Sequence, residues 1–226
     1  MYKACIFDLD GTLANTLYSI AGFSNRALHE CGYPEIEPER YRRIVGDGVV
    51  VQLQRMMDAV CPNGWTPEEE QNVRLLYDRY YNADPMKDIR TYPGMLQLLQ
   101  ALRANGLKTA VFSNKPDSWA QPIIEKLFPA GTFDAVRGKC DGVPRKPAPD
   151  GALLLAQTLG VQPAECLYIG DTNTDMQTGA NAGMDTVGVL WGFRDRQELE
   201  AAHACAVAAE PKEVLQIALH GLQTGV

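Results

Sequence analysis

Five short apolar runs alternate with segments of helical periodicity, and this alternation constrains the fold more than any other feature of the chain. The first run, Lys3-Ala-Cys-Ile-Phe7, is followed by Asp8, and the later runs are Leu107–Phe112, Phe133–Val136, Cys166–Ile169 and Thr186–Leu190. Helical patterns separate them at Gly94–Asn105, Pro116–Phe128, Pro149–Leu159 and Asn173–Ala182. Strands that alternate with helices form parallel sheets with helices on both faces. The sequence therefore predicts an α/β fold of this kind.

One long segment interrupts the alternation. Between residues 15 and 85 no strand pattern is evident, whereas apolar residues such as Ile20, Phe23 and Ala27 recur at helical spacing. A chain of 226 residues can form one large domain that carries an insertion. We therefore predict a core domain made of residues 1–14 and 86–226, with an all-helical domain, residues 15–85, inserted after the first strand.

Composition and charge exclude several classes of protein. The chain has 21 Lys and Arg against 28 Asp and Glu, a formal net charge of −7, which disfavours binding to nucleic acid or to anionic membranes. No apolar run approaches the ~18 residues of a membrane span, and the N-terminus lacks a signal-peptide pattern. The six cysteines show no CxxC spacing, so a zinc site is not expected. We expect a cytoplasmic protein, a monomer or homodimer, without nucleic-acid or membrane partners.

Polar side chains follow three of the predicted strands. They are Asp8 and Asp10 after the first, Ser113 and Asn114 after the second, and Asp171 and Asp175 after the fourth. Lys146 lies in a proline-rich connection just before a predicted helix. Ligands of parallel α/β sheets bind beyond the carboxyl ends of the strands. We therefore expect these side chains to form one site.

The pair Asp8 and Asp10 carries the strongest chemical signal. Residues two apart on an extended backbone point the same way, and two adjacent carboxylates titrate at separated pH values. This arrangement suits a nucleophile beside a general acid/base. A single aspartate after a strand is as often a turn or helix cap. The pair directly after an apolar run, as Asp-Leu-Asp-Gly-Thr, favours the functional interpretation.

Asp171 and Asp175 precede or begin a predicted helix, and their charge points to a metal. An EF-hand loop is excluded, because Met176 and Ala182 stand where that loop needs Gly and Glu. Helix capping remains an alternative for Asp175. Four clustered carboxylates would repel an anionic substrate unless a dication and Lys146 compensated them. Oxygen-only ligands suit Mg²⁺. Lys146 taken alone would be an ordinary surface lysine.

Taken in order, these residues resemble the four motifs of the haloacid dehalogenase superfamily. The motifs are Asp8-Leu-Asp10-Gly-Thr12, Ser113-Asn114, Lys146 and Gly170-Asp171-Thr-Asn-Thr-Asp175, and the resemblance spans nearly the whole chain. Further similarity to phosphoglycolate-phosphatase-like members lies in Val45-Gly-Asp-Gly48, Tyr92-Pro-Gly94, Ser113-Asn-Lys-Pro116, Arg145-Lys-Pro147 and Leu190-Trp-Gly-Phe-Arg194. The resemblance implies a Rossmann-like core and identifies residues 15–85 as a helical cap.

The resemblance also assigns catalytic roles. It implies that Asp8 attacks phosphorus and forms an aspartyl-phosphate, and that Asp10 protonates the leaving group and then activates water. Ser113 and Lys146 would hold phosphate oxygens, with Asn114 nearby. The implied reaction is hydrolysis of a small phosphorylated metabolite, with 2-phosphoglycolate as the first candidate.

The implied cofactor is Mg²⁺, held by Asp8, the backbone carbonyl of Asp10, Asp171 and Asp175. The cap would close over the site and select the substrate. We expect Arg42, Arg43 and Arg194 to be candidates for substrate contacts, although exposed surface positions are the commoner fate of such residues.

Other activities remain open. The presence of Asp10 disfavours dehalogenation, since the dehalogenases of the superfamily that this chain resembles lack the second aspartate. A pyrophosphatase or a sugar-phosphate mutase could use the same residues. A phosphometabolite-binding protein with little turnover is a further alternative.

Overall fold

The computed structural model describes residues 1–222. Residues 223–226, the last of the predicted core range, lie outside the described part. The strands are β1 (Ala4–Phe7), β2 (Ala14–Asn15), β3 (Arg90–Thr91), β4 (Lys108–Pro116), β5 (Ala135–Lys139), β6 (Cys166–Gly170), β7 (Asp185–Val189) and β8 (Ala206–Ala208). The α-helices are α1 (Leu17–Glu30), α2 (Tyr41–Ile44), α3 (Val49–Val60), α4 (Pro67–Ala83), α5 (Met95–Ala104), α6 (Asp117–Leu127), α7 (Asp150–Leu159), α8 (Asn173–Asn181), α9 (Arg196–Ala201) and α10 (Pro211–His220).

Six strands form one parallel sheet in the order β5-β4-β1-β6-β7-β8. In the centre, Phe7 of β1 is in register with Val111 of β4 and with Ile169 of β6. All four residues of β1 are buried. Because successive side chains of a strand point to opposite faces, both faces of this central strand are covered. The predicted parallel α/β sheet with helices around it is confirmed.

Helix α7 shows how an amphipathic segment covers the sheet. Its buried residues recur at helical spacing, at Ala152, Leu155, Ala156 and Leu159. They form one apolar cluster with strand residues that include Ile6, Phe112 and Tyr168. This cluster brings the start of α7, and the connection that precedes it, against β1, β4 and β6.

The strand predictions differ from the structure in several places. The short strands β2 and β3, which pair with each other, were not predicted, and β5 spans Ala135–Lys139 instead of Phe133–Val136. Strand β8 was not predicted, because Ala206–Ala208 lies in an alanine-rich stretch without the β-branched enrichment that marks strands. Strand β4 extends to Pro116 instead of ending at Phe112, with a shift in its register to β5 between these two residues. Ser113 and Asn114, which were expected after this strand, therefore lie within its C-terminal part.

The chain divides into two compact units. One comprises Met1–Asn15 and the chain from Thr91 onward, and the other comprises Thr16–Arg90. The second unit begins one residue later and ends five residues later than the predicted inserted domain. Its packing includes α1 against α4, where the Phe23 and Tyr81 rings meet edge to face at 5.4 Å between centroids. Thr66 and Glu69 form a capping box at the start of α4.

No helix among residues 1–222 has the length and apolar character that a membrane crossing requires. The six cysteines all lie within this range, and all are free thiols.

Two glycine substitutions test the packing of α8 on the sheet. A Cβ on Gly179 would overlap the methyl group of Thr186 and lie 2.9 Å from Cβ of Tyr168. Gly22, exposed within α1, has open space around its Cβ position. We expect Gly179→Ala to lower the free energy of unfolding by about 2 kcal/mol. We expect Gly22→Ala to raise it by about 0.5–1 kcal/mol, since alanine favours helix.

Urea denaturation measures both changes. Equal stability of Gly179→Ala and the parent protein would show that α8 does not pack as closely as described.

Candidate active site

The ammonium group of Lys146 lies at the centre of the expected site. Its Nζ donates to Asp8 Oδ1 and to Asp175 Oδ1, each at 2.7 Å, and to the carbonyl oxygen of Phe112 at 3.2 Å. The lysine side chain is only 2% exposed. One buried cation therefore joins the residue after β1, strand β4 and the first turn of α8. The structure places Lys146 inside the site and not on the surface.

Three carboxylates form a buried acidic cluster beside this lysine. Asp8, Asp171 and Asp175 each contribute an oxygen, and these oxygens lie within 4.8 Å of one another. Carboxylate oxygens at this spacing suit a hard divalent cation. The observed donor set therefore fits a divalent metal. The Asp10 side chain is not a member of this cluster, so a contribution from Asp10 would come from its backbone carbonyl.

Two loops fix the orientation of Asp171. The Thr12 hydroxyl donates to Oδ1 at 3.2 Å, and the Phe193 backbone N–H donates to Oδ2 at 2.6 Å. Gly11, at φ +92°, and Gly192 both approach this side chain so closely that a Cβ on either would overlap it. Glycine is required at both positions because any larger residue would displace the carboxylate.

Asp175 has two functions at once. Its Oδ2 accepts hydrogen bonds from the Thr172 hydroxyl at 2.7 Å and the Thr172 N–H at 3.1 Å, which completes a capping box at the start of α8. Its Oδ1 accepts from Lys146. The two interpretations of this residue, helix cap and site residue, are therefore compatible, because a carboxylate has two oxygens.

Ser113 and Asn114 lie within β4, and both are buried. The Asn114 side-chain amide is joined to the backbone of Lys146: Oδ1 accepts from the Lys146 N–H at 2.8 Å, and Nδ2 donates to its carbonyl at 3.3 Å. The Ser113 hydroxyl accepts from the Lys115 N–H at 3.1 Å. Asn114 thus anchors the segment that carries Lys146.

Lys115 is a site residue that the sequence reasoning missed. Its Nζ lies 3.0 Å and 3.2 Å from the two carboxylate oxygens of Asp10. The lysine side chain is 4% exposed and that of Asp10 is 15% exposed. A lysine beyond a strand is ordinarily on the surface. The signal that could have located it is its place next to Ser113 and Asn114, at the same edge of the sheet as Asp10.

Burial dominates the electrostatics of the site. Desolvation raises the pKa of Asp8 well above its usual value, although Lys146 opposes the effect. Burial, followed by the neighbouring charge of Asp175, raises the pKa of Asp171 to about 7. Burial alone would lower the pKa of Lys146, but Asp175 and Asp8 outweigh it and raise that pKa. A divalent cation would favour the ionised carboxylates.

The three arginines expected to contact substrate have different environments. Arg42 donates to Glu39 at 2.7 Å in an exposed ion pair, and Arg43 is exposed beside a cavity also lined by Arg40 and Arg55. Arg194 is buried and forms an ion pair with Glu198 at 2.9 Å, and its charge offsets part of the rise in the pKa of Asp171. The alternative of an exposed surface position for Arg194 is therefore wrong.

The fold and the site together define an α/β enzyme with acidic groups and a buried lysine at one edge of a parallel sheet. The family profile described as haloacid dehalogenase-like hydrolase matches residues 5–189. The chain therefore belongs to the haloacid dehalogenase-like hydrolases.

Named relatives narrow this class. The phosphoglycolate phosphatase of Escherichia coli (strain K12) is 32% identical over 207 residues, covering 84% of this chain and 82% of its own length. The phosphoglycolate phosphatase of Aquifex aeolicus (strain VF5) is 31% identical over 191 residues, covering 84% and 86%. The crystal structure of a predicted phosphoglycolate phosphatase from Haemophilus somnus 129PT superposes with a TM-score of 0.88 at 28% identity, covering 96% and 97%. The chain is a phosphoglycolate-phosphatase-like phosphoric monoester hydrolase.

The buried carboxylates predict how stability depends on pH without metal. Asp8 and Asp171 have raised pKa values in the folded state, against about 3.9 when unfolded, so the folded state binds protons more tightly. Their contribution to stability is present at low pH and is lost as pH rises through about 7. We expect the Tm of the metal-free protein to fall by about 5 °C from pH 5.5 to 8, since 1 kcal/mol shifts Tm by about 2–4 °C in a chain of this size.

Thermal unfolding in a chelator measures this fall. Asp171→Asn cannot ionise and should remove much of the difference, whereas Asp141→Asn, a matched change at an exposed aspartate, should leave it intact. A Tm that rises over this interval would contradict the electrostatic account.

Proposed function

We propose that this enzyme hydrolyses a small phosphate monoester in a Mg²⁺-dependent reaction through an aspartyl-phosphate on Asp8. The single observation that supports this most is the buried cluster of Asp8, Asp171 and Asp175 joined to Lys146. We take 2-phosphoglycolate as the first substrate because the relatives from Escherichia coli and Aquifex aeolicus are phosphoglycolate phosphatases.

Asp8 is the proposed nucleophile. Lys146 holds its Oδ1 at 2.7 Å, which fixes the orientation of the carboxylate and favours its ionised form. Attack on phosphorus forms the acyl phosphate and splits one slow hydrolysis into two easier steps. Lys146 and Ser113 are proposed to hold the phosphate oxygens, where positive charge and hydrogen-bond donors stabilise phosphoryl transfer. Asn114 is proposed to position Lys146 through its backbone.

Asp10 is the proposed general acid/base. Its side chain is the most exposed of the site carboxylates and lies outside the acidic cluster, so it is free of the ligand role assigned to the other three. It would protonate the leaving alkoxide and then take a proton from the water that hydrolyses the acyl phosphate.

Asp8, Asp171 and Asp175 would hold the metal, together with the backbone carbonyl of Asp10. When bound, Mg²⁺ supplies positive charge that neutralises the carboxylates and the transferring phosphoryl group. Thr12 and the Phe193 N–H hold Asp171 ready for this role, and the Thr172 cap does the same for Asp175.

The proposed partner is a small phosphorylated metabolite, bound by a monomer or homodimer in the cytoplasm. No nucleic-acid or membrane partner is proposed, since the formal net charge is −7.

Phosphate release from a panel of small monoesters and pyrophosphate, with and without Mg²⁺, tests the proposal. We expect Mg²⁺-dependent release that is fastest with 2-phosphoglycolate and falls about 1,000-fold or more in Asp8→Ala, because the nucleophile is lost. Asp141→Asn serves as the exposed-aspartate control and should retain activity. Mass spectrometry of acid-quenched enzyme should locate a phosphoryl group on Asp8.

Other outcomes would favour the remaining alternatives. Isomerised sugar phosphate without net release of phosphate would indicate a mutase. Ligand-dependent stabilisation without turnover of any ester would indicate a binding protein, and pyrophosphate as the best substrate would indicate a pyrophosphatase.

Arg42, Arg43 and Arg194 are the proposed specificity residues, and the exposed Arg43 is the first to test. We expect Arg43→Ala to change the relative kcat/KM values across the ester panel by about 10-fold, the lower end of what a charge-assisted hydrogen bond contributes. Unchanged ratios would remove Arg43 from the set of substrate contacts.

A further inference from the structure

We infer that Lys115 recognises a second anionic group on the substrate, a carboxylate close to the ester oxygen that leaves. This inference rests on the proposed function and names a residue that selects phosphoryloxy-carboxylates over phosphate monoesters whose alcohol part is uncharged. It starts from the contact of Lys115 with Asp10, which none of the proposed catalytic roles requires.

The position of Lys115 is set by the fold. It follows Ser113 and Asn114 in β4, and Asp10 lies just beyond β1, the neighbouring strand in the sheet. The ammonium reaches both oxygens of Asp10, at 3.0 Å and 3.2 Å, across 105 positions of sequence. Burying an ammonium group is unfavourable, and the Lys115 side chain is only 4% exposed. A buried cation at this point is therefore a built feature of the site.

The distances bring Lys115 within reach of the leaving group. A general acid must lie about 2.6–3.2 Å from the oxygen that it protonates. Because Lys115 Nζ is 3.0 Å from an Asp10 oxygen, it can lie no more than about 6 Å from the leaving oxygen. A substrate carboxylate separated from the leaving oxygen by one carbon atom would therefore lie between that oxygen and Lys115 Nζ. Asp10 is also the more exposed partner of the pair.

The charge of the site supports an additional anion. Asp8, Asp10, Asp171 and Asp175 supply four negative charges, and Lys146 with a dication supplies three positive charges. Lys115 brings the metal-loaded site to neutrality. A substrate with a carboxylate beside its phosphate carries one negative charge more than a phosphate monoester with an uncharged alcohol part. Lys115 is the cation that would lie next to this carboxylate.

The test compares two esters of similar size. In 2-hydroxyethyl phosphate a neutral hydroxymethyl group replaces the carboxylate of 2-phosphoglycolate. Lys115→Met removes the charge and keeps the apolar stem, and Lys126→Met is the matched change at an exposed lysine of α6. The readout is the ratio of kcat/KM for 2-phosphoglycolate to kcat/KM for 2-hydroxyethyl phosphate. Any general effect of Lys115 on Asp10 changes both esters and cancels in this ratio.

We expect Lys115→Met to lower the ratio about 30-fold, the size of a charge-assisted hydrogen bond, mainly by raising KM for 2-phosphoglycolate. Lys126→Met should leave it unchanged. A ratio that Lys115→Met leaves unchanged, even with large losses for both esters, would show that the lysine serves Asp10 alone and would overturn the inference. Lys115→Gln provides the same comparison if the methionine variant does not fold.

Failure of the proposed function would be separately visible. If the parent protein releases no phosphate from either ester, that function is wrong, and the inference is then judged by binding. Calorimetry on Asp8→Asn with Mg²⁺ should show that Lys115→Met weakens binding of 2-phosphoglycolate and not of 2-hydroxyethyl phosphate. Equal weakening of both, or no weakening of either, would overturn it.

Discussion

The hydrogen bonds of the Lys146 ammonium hold the site together. This one cation contacts Asp8, Asp175 and the Phe112 carbonyl, which belong to three separate parts of the chain. Each buried charge loses several kcal/mol of hydration, and the loss is recovered only where opposite charges and hydrogen bonds are well placed. The connection before α7 is therefore held against the sheet, and Asn114 secures it further through the Lys146 backbone.

The acidic cluster shows a conflict between stability and function. Burial is the main cause of the raised pKa values of Asp8 and Asp171, and repulsion among the three carboxylates, whose oxygens lie within 4.8 Å of one another, adds to it. The same repulsion makes the cluster favourable for a divalent cation. Around it the chain uses Gly11 and Gly192, whose lack of a side chain lets two loops approach Asp171. The acidic cluster thus lowers the stability of the metal-free protein, and a bound divalent cation would restore it by neutralising the carboxylates.

Most of the core and much of the site could be predicted from the sequence because they depend on local pattern. The apolar runs specify the strands, and residues at their ends meet at one edge of a parallel sheet. Asp8, Asp171 and Asp175 were located in this way, whereas Lys146 was included because its proline-rich connection was expected beside the acidic site. Strand β8 was missed because an alanine-rich segment has little intrinsic preference for β structure. Its pairing with β7 therefore depends on the edge that the rest of the sheet provides.

Lys115 shows where local pattern is insufficient. Sequence alone places it beside two polar residues, but whether a lysine is solvated or buried depends on which carboxylate lies opposite it. That partner, Asp10, is 105 positions away. Arg194 differs in that its partner Glu198 is only four residues away, but this local spacing does not show that the arginine is buried.

The amino-acid sequence by itself determined the alternation of strands and helices, the inserted helical segment and the set of acidic residues, because each follows from periodicity or short spacing. Only the tertiary structure decided which cation meets which carboxylate. It paired Lys146 with Asp8 and Asp175, paired Lys115 with Asp10, and gave the two oxygens of Asp175 separate partners. The three lysine–carboxylate pairs join residues 138, 29 and 105 positions apart in the chain, and a charged group is bound by whatever the fold brings within about 3 Å of it.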